Sequence, residues 1–141
     1  MILFMAKRSE KHLKIGARRG GGKPPGYLWE VCFLDESIGD ARFLNADQYS
    51  HICEQYRELA QCIDPSHPLT NDVQTIEGYH ELRDKGGVLG KLNFRGYFYI
   101  HKSAKRIVIL GAYKKEEDGQ ASQAIKIRMR NRLKRYLKAF A

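Results

Sequence analysis

The chain is 141 residues long, carries a formal net charge of +9 and contains 11% aromatic residues, which predicts one folded domain rather than a disordered chain. The charge is uneven, since residues 1–26 carry +6, residues 27–80 carry −8 and residues 81–141 carry +11. A basic C-terminal half favours a polyanionic partner such as nucleic acid. The acidic middle is either a docking surface for a basic partner or an ordinary solvated surface.

The cysteine content and the hydropathy exclude several classes of protein. Three cysteines without a Cys-x-x-Cys motif argue against a disulfide scaffold and against a zinc site, and they suit a reducing compartment. No apolar run is long enough to span a membrane. We therefore expect a cytoplasmic protein with no membrane span, no metal and no cofactor.

The N-terminal segment, residues 1–26, is basic and then rich in glycine and proline between Gly20 and Gly26. Such a composition predicts a flexible basic arm that adds nonspecific attraction to a polyanion. A phosphate-binding loop is disfavoured, because the Gly-x-x-x-x-Gly-Lys-Ser/Thr pattern is absent. Residues 27–141 then form the folded domain.

The folded domain begins with a strand and a helix. Trp29–Leu34 is predicted to be a buried strand, and Asp35–Asp40 a turn. Residues 41–44 suit either a short strand or the start of a helix. Asn45 followed by Gln48 matches a capping box, so we predict an amphipathic helix over residues 45–63 that packs on a sheet. A polar loop over residues 64–75 follows.

Three strands are predicted between Tyr79 and Ala112, where aromatic and β-branched runs alternate with glycine or charged residues. The first connection contains Gly86, Gly87 and Gly90, which can adopt positive φ. Cations lie on or beside these strands, and a sheet only half covered by helices would present some of them together on one face. These cations are Arg83, Lys91, Arg95, Lys102, Lys105 and Arg106.

A last helix is predicted over residues 121–140. Its core face is a stripe of Ile125, Met129, Leu133, Tyr136 and Phe140. Seven cations flank this stripe and the helix carries no acid, which favours nucleic-acid binding over the alternative of ordinary surface cations. One ribbon is Arg128, Arg132 and Arg135, and the other is Lys126, Arg130, Lys134 and Lys138. We expect Arg128 and Arg132 to face a substrate groove.

Four sequence pieces follow one another: Glu81-Leu82-Arg83, Phe94-Arg95, Gly111-Ala112-Tyr113-Lys114-Lys115, and a helix that contains Arg132 and Tyr136. With the order strand, helix, three strands and cationic helix, residues 29–138 resemble the RelE/HigB superfamily of type II toxins. The resemblance implies an α+β fold with a small, mostly antiparallel sheet. It also implies a metal-independent mRNA endonuclease that acts on the ribosome, inhibits translation and is neutralised by a cognate antitoxin.

The resemblance assigns Arg83, Arg95 and Tyr113 as catalytic residues. The two arginines would stabilise a pentacoordinate phosphate, and Tyr113 would stack on a base or transfer a proton. For Arg83 the alternative is a salt bridge to Glu81 or Asp84, and for Tyr113 it is core packing. Contacts to nucleic acid are expected from Lys91, Lys114, Lys115, Arg128 and Arg132.

The chain departs from the family pattern at two points. Members similar to HigB often place a His just before the aromatic residue that precedes the two lysines, but Gly111 and Ala112 stand there. The acid often found at the start of the last helix is also missing, so Arg, Lys and Tyr alone would form a poor acid–base pair. A gyrase inhibitor similar to ParE and a non-catalytic nucleic-acid-binding protein are therefore alternative functions. His101 is expected on the surface, away from the site.

Overall fold

The computed structural model describes residues 12–13, 17–19, 25–115 and 122–140. Within them the chain forms seven strands and three α-helices. The strands are β1 His12–Leu13, β2 Ala17–Arg19, β3 Glu30–Leu34, β4 Asp72–Thr75, β5 His80–Asp84, β6 Phe94–His101 and β7 Arg106–Lys114. The helices are α1 Asp35–Asp40, α2 Ala46–Leu59 and α3 Gln123–Phe140. In this part of the chain no helix has the length and apolar character needed to cross a membrane.

The seven strands form one sheet in the order β1-β2-β3-β7-β6-β5-β4. Neighbouring strands are antiparallel except β3 and β7, which are parallel. This parallel pair arises because the chain leaves β3 through α1 and α2, builds the antiparallel strands β4 to β6, and returns beside β3. The predicted α+β class and the mostly antiparallel sheet are confirmed.

Several elements differ from the sequence prediction. The polar loop predicted over residues 64–75 is wrong at its end, since residues 72–75 form the edge strand β4, whose mostly exposed side chains lack an apolar pattern. The helix α1 replaces the predicted turn, and a 3-10 helix follows at Ala41–Phe43. The strands β1 and β2 lie within the predicted flexible arm, and β2 pairs with β3. Apart from Pro25 and Gly26, the rest of the arm lies outside the described residues.

The helix α2 covers one face of the sheet. Its capping box is present, because the Asn45 side chain accepts the backbone N–H of Gln48 at 2.8 Å and the Gln48 side chain accepts that of Asn45 at 3.0 Å. The predicted amphipathic helix is confirmed, but it ends at Leu59 instead of residue 63. Its buried side chains are Tyr49, Ile52, Cys53, Tyr56 and Leu59.

The helix α3 covers part of the opposite face. Its Met129, Leu133 and Tyr136 are buried in a second core that also contains Tyr97 and Leu110. Ile125 and Phe140 pack against this core, so the predicted core stripe is confirmed. The sheet therefore has an apolar layer on each side, and the second layer is the one next to the predicted catalytic residues.

A chain of polar contacts joins the C-terminal end of α3 to the sheet. The Tyr136 hydroxyl lies 2.6 Å from His101 Nδ1 and accepts a hydrogen bond from Arg106 Nη1 at 3.1 Å. Arg106 Nε in turn donates to Glu30 Oε1 at 3.1 Å. Tyr136 can donate its own proton to His101 only while that ring is neutral. The prediction of His101 as a surface residue is therefore wrong, because the half-buried ring is part of the contact between α3 and β6.

Acidification should weaken the fold through two histidines. Burial lowers the pKa of His80, and burial together with the charge of Arg106 lowers the pKa of His101, in both cases from an ordinary value of 6.5. Near and below that value the unfolded chain binds more protons than the folded one. The free energy of unfolding should therefore fall as pH decreases from about 7.5 to about 5.5.

Urea titrations across this pH range measure the effect. A His101→Gln variant should show a shallower slope than the parent, since the glutamine cannot take up a proton. Between about pH 8 and pH 9, where both histidines are neutral in either state, variant and parent should have the same slope. Equal slopes at the lower pH as well would contradict a role for His101.

Candidate active site

The three predicted catalytic residues form one row across three strands. Arg83 of β5 is the cross-strand partner of Arg95 on β6, and Arg95 is the partner of Tyr113 on β7. Directly opposed residues of an antiparallel pair project from the same face of the sheet. The row is thus on the face that α3 partly covers, next to Tyr97 of the second core.

A buried carboxylate connects the members of this row. Glu81 is fully buried, and its Oε1 accepts a hydrogen bond from Arg83 Nε at 2.6 Å. Its Oε2 accepts one from the Tyr97 hydroxyl at 2.7 Å and lies 3.9 Å from Arg95 Nε. Two guanidinium groups and a hydroxyl supply the partners that a buried charge requires. The salt bridge between Arg83 and Glu81, one of the alternatives considered from the sequence, is present.

The two arginines differ in their access to solvent. The Arg83 side chain is 25% exposed, whereas that of Arg95 is 3% exposed. Arg95 Nη1 donates to Asn93 Oδ1 at 2.6 Å and to the Phe94 carbonyl at 3.4 Å. Arg83 is thus the arginine more accessible to a ligand, whereas Arg95 is held by contacts with Asn93 and the Phe94 carbonyl.

A groove of about 420 Å³ opens beside Arg83, and its walls are Asp72, Arg83, Asp84, Lys85 and Arg95. Asp72 is exposed and is the cross-strand partner of Arg83. Burial acts to lower the pKa of Arg83, but the hydrogen bond and charge of Glu81 and the charge of Asp72 raise it overall. The groove therefore contains carboxylates, which sequence reasoning missed because β4 was predicted as a loop.

Asp84 has partners on α2. Its Oδ2 lies 2.7 Å from His51 Nε2 and accepts a hydrogen bond from Gln55 Nε2 at 3.2 Å. The Asp72 carboxylate accepts one from Gln74 of its own strand at 3.1 Å. Because Asp72 is the more exposed of the two and faces Arg83 across the strands, it is the carboxylate better placed to meet a ligand.

Tyr113 packs against the core. Its ring is stacked on that of Tyr97, with centroids 6.0 Å apart and an interplanar angle of 8°, and its hydroxyl is buried. Burial, together with the hydrogen bond to Glu81, raises the pKa of Tyr97, so that this hydroxyl keeps the proton it donates to the carboxylate. In this arrangement Tyr113 supports Tyr97 and does not offer its hydroxyl to the groove.

The predicted phosphate-binding lysines are not gathered at the row. Lys114 is the cross-strand partner of Phe94, which lies in the core under α2, so Lys114 extends from the opposite face. Lys115 is half-buried, and Lys91 is exposed in the connection before β6. Lys85, which the sequence analysis does not select, lines the groove instead.

Among the described residues, acids from earlier in the chain pair with Arg130, Arg132 and Arg135 of α3. Arg132 Nη1 donates to Asp40 Oδ2 at 2.5 Å and to the Leu110 carbonyl at 2.9 Å. The other pairs are Arg135 with Glu36, at 2.5 Å, and Arg130 with Glu77, at 2.6 Å. Arg132 therefore joins α3 to α1. It does not line the groove beside Arg83, although we expected it to face a substrate groove. Arg128 is exposed.

The same ion pair occupies the space that a side chain at Gly111 would take. A Cβ atom at Gly111 would lie 2.5 Å from Arg132 Nη1, 2.6 Å from Met129 Cε and 2.8 Å from Asp40 Oδ2. Real Cβ atoms do not approach other atoms so closely, so any side chain at Gly111 would displace this ion pair. Asp40 also accepts the backbone N–H of Ala112 at 3.2 Å.

Among the residues that the structure describes, no group of three or more His, Cys, Asp or Glu side chains is placed to hold a metal ion. No family model, no curated protein and no solved structure matches the chain. The activity of this site is therefore inferred from its own residues and their geometry.

Proposed function

We propose that this protein is a type II toxin, a ribosome-dependent mRNA endonuclease that needs no metal and is neutralised by a cognate antitoxin. The observation that carries the proposal is the row of Arg83, Arg95 and Tyr113 beside a groove bordered by carboxylates. The order of the elements and the four sequence pieces that resemble the RelE/HigB superfamily also support it.

The chemistry is attack of a ribose 2′-OH on the adjacent phosphate. A base removes the hydroxyl proton, the oxygen bonds to phosphorus, and the 5′-oxygen leaves with a proton to give a 2′,3′-cyclic phosphate. The phosphate gains negative charge in the transition state, so a guanidinium fixed beforehand lowers the barrier. Arg83 suits this role because it borders the groove while Glu81 holds its Nε.

Two other residues that line the groove, Asp72 and Lys85, transfer the protons in this proposal. Asp72 borders the groove across from Arg83, so its carboxylate is the base in this proposal. Lys85 lines the same groove, and its ammonium group is the donor that protonates the leaving oxygen. Asp72 continues the row onto β4 as the cross-strand partner of Arg83, and Lys85 follows Arg83 on the same side of the groove.

A non-catalytic nucleic-acid-binding protein is the second candidate. Two observations favour it: a side chain at Gly111 would collide with the Asp40–Arg132 ion pair, and the Tyr113 hydroxyl is buried. The site then has cations for phosphate but no proton donor of the kind often found in the family. Binding without cleavage would follow.

Controlled expression of the full chain in bacteria tests these functions. We expect growth arrest, loss of amino-acid incorporation, normal plasmid supercoiling and mRNA fragments that end in cyclic phosphate. An Arg83→Gln variant is the matched control, because it removes the charge and keeps a hydrogen-bonding side chain of similar size. DNA damage with continuing translation would favour a gyrase inhibitor similar to ParE. RNA binding without arrest would favour the second candidate.

A further inference from the structure

Glu81 contacts no substrate in the chemistry above, yet its fully buried carboxylate lies 2.6 Å from Arg83, which borders the groove. In the register of the sheet, Glu81 and Tyr97 are partners two positions from the pair Arg83 and Arg95, and they are therefore the next pair on the same face. A charge so enclosed destabilises a protein unless several groups neutralise it. Because Arg83 and Arg95 are among the neutralising groups, a change at Glu81 alters the charge environment of both arginines.

The contact with Glu81 determines which nitrogens of Arg83 remain for a ligand. Among the described residues, the Arg83 side chain makes one hydrogen bond, through Nε to Glu81 Oε1 at 2.6 Å. Its two terminal nitrogens are left, and such a pair can donate two parallel hydrogen bonds to phosphate oxygens. The anchored Nε also limits the rotamers of Arg83, so that little ordering is needed when a phosphate binds.

Glu81 also offsets positive charge at the site before the reaction. Its carboxylate lies 2.6 Å from Arg83 and 3.9 Å from Arg95, and Asp72 and Asp84 border the same groove. A phosphodiester carries one negative charge and gains more in the transition state. Because carboxylates partly neutralise its cations, the site binds the RNA substrate weakly. It stabilises the phosphate more strongly as negative charge develops in the transition state, and this difference raises the cleavage rate.

We propose that Glu81 is the positioning residue of this site, which orients Arg83 toward a substrate phosphate and offsets its charge so that the site favours the transition state over bound RNA. This inference rests on the proposed function, because it places Glu81 in the same phosphodiester chemistry.

A Glu81→Gln substitution separates the two effects, because it removes the charge and keeps the size of the side chain. Affinity is measured with an RNA oligonucleotide whose 2′-hydroxyls are methylated, so that it cannot be cleaved. The rate is measured as single-turnover cleavage of ribosome-bound mRNA. We expect affinity to rise roughly tenfold at about 0.1 M salt, and the cleavage rate to fall on the order of tenfold, because a neutral amide oxygen holds Arg83 Nε less firmly than a carboxylate does.

The opposite directions of these changes distinguish positioning from a structural role, which would weaken binding and cleavage together. Asp47→Asn is the control, since it removes one exposed negative charge from α2, on the other face of the sheet. If that control raises the affinity as much as Glu81→Gln does, the net charge of the protein explains the effect and the proposal fails.

A second variant guards against unfolding, because Glu81→Gln leaves Arg95 in a buried site with one partner fewer. The double variant Glu81→Gln/Arg95→Met removes that buried charge and keeps Arg83 as the reporter. The affinity of folded Glu81→Gln for the methylated RNA is compared with that of the parent, and the affinity of the folded double variant with that of Arg95→Met. The proposal is overturned if neither comparison shows tighter binding. If the parent cleaves no RNA, the proposed function fails, and the affinity comparison still decides whether Glu81 restrains the charge of Arg83.

Discussion

Replacement of Arg83 by glutamine should reduce the single-turnover cleavage of ribosome-bound mRNA by about a hundredfold or more, the scale seen when one transition-state donor is removed. Arg83 is the more exposed arginine of the row, and it borders the groove while its Nε stays bound to Glu81. Binding of RNA should weaken far less, because one phosphate contact is a small share of the total electrostatic attraction.

Two controls make this result interpretable. The Arg83→Gln protein must be shown to remain folded at the assay temperature, because the buried Glu81 loses its nearest cation and keeps only Tyr97 and Arg95 as partners. Arg128→Gln removes an exposed cation from α3, and it should weaken binding modestly at low salt while the saturated rate stays within about twofold. A folded Arg83→Gln protein that cuts at the parental rate would refute the role of Arg83.

Loss of the Asp40 carboxylate should lower the free energy of unfolding by about 2–4 kcal/mol. The Asp40 and Arg132 side chains are 19% and 12% exposed, and Asp40 Oδ2 also accepts the N–H of Ala112. An Asp40→Ala variant leaves the Arg132 guanidinium without its carboxylate in a mostly buried place. It also removes a contact between α1, β7 and α3.

The pair of Glu36 with Arg135 is a matched control, because it joins the same two helices about one turn away. Its side chains are 36% and 45% exposed, so Glu36→Ala should cost about 0–1 kcal/mol. Urea unfolding of the two variants at neutral pH measures the difference. If both substitutions have the same effect, burial does not decide the strength of these ion pairs.

The elements that could be predicted from the sequence are those with a local and periodic signal. The capping box at Asn45 and Gln48 marks the start of α2, and the apolar spacing from Ile125 to Phe140 marks the core face of α3. Aromatic runs between glycines mark β5, β6 and β7, and Gly86, Gly87 and Gly90 adopt the expected positive φ. Each of these features depends on neighbours within a few residues.

The remaining features depend on contacts across the chain. The pairs of α1 with α3 join residues 92 and 99 positions apart, so a helical wheel cannot show that Arg132 and Arg135 have acidic partners. The edge strand β4 has exposed polar side chains, which look like a loop until the strand pairs with β5. The burial of Arg95 cannot be read from its type, because arginine is usually exposed.

The acidic residues of the segment 27–80 affect how strongly RNA binding depends on salt concentration. Three arginines of α3 are paired with acids where the phosphates of a nucleic acid would otherwise bind. The chain therefore supplies its own counterions to this helix, in the pairs Asp40–Arg132, Glu36–Arg135 and Glu77–Arg130. A phosphate that binds there displaces a tethered carboxylate and releases no free ion. The salt dependence of RNA binding should therefore be shallower than the seven cations of the helix suggest, by about 0.7 to 0.9 in the log–log slope for each cation already neutralised.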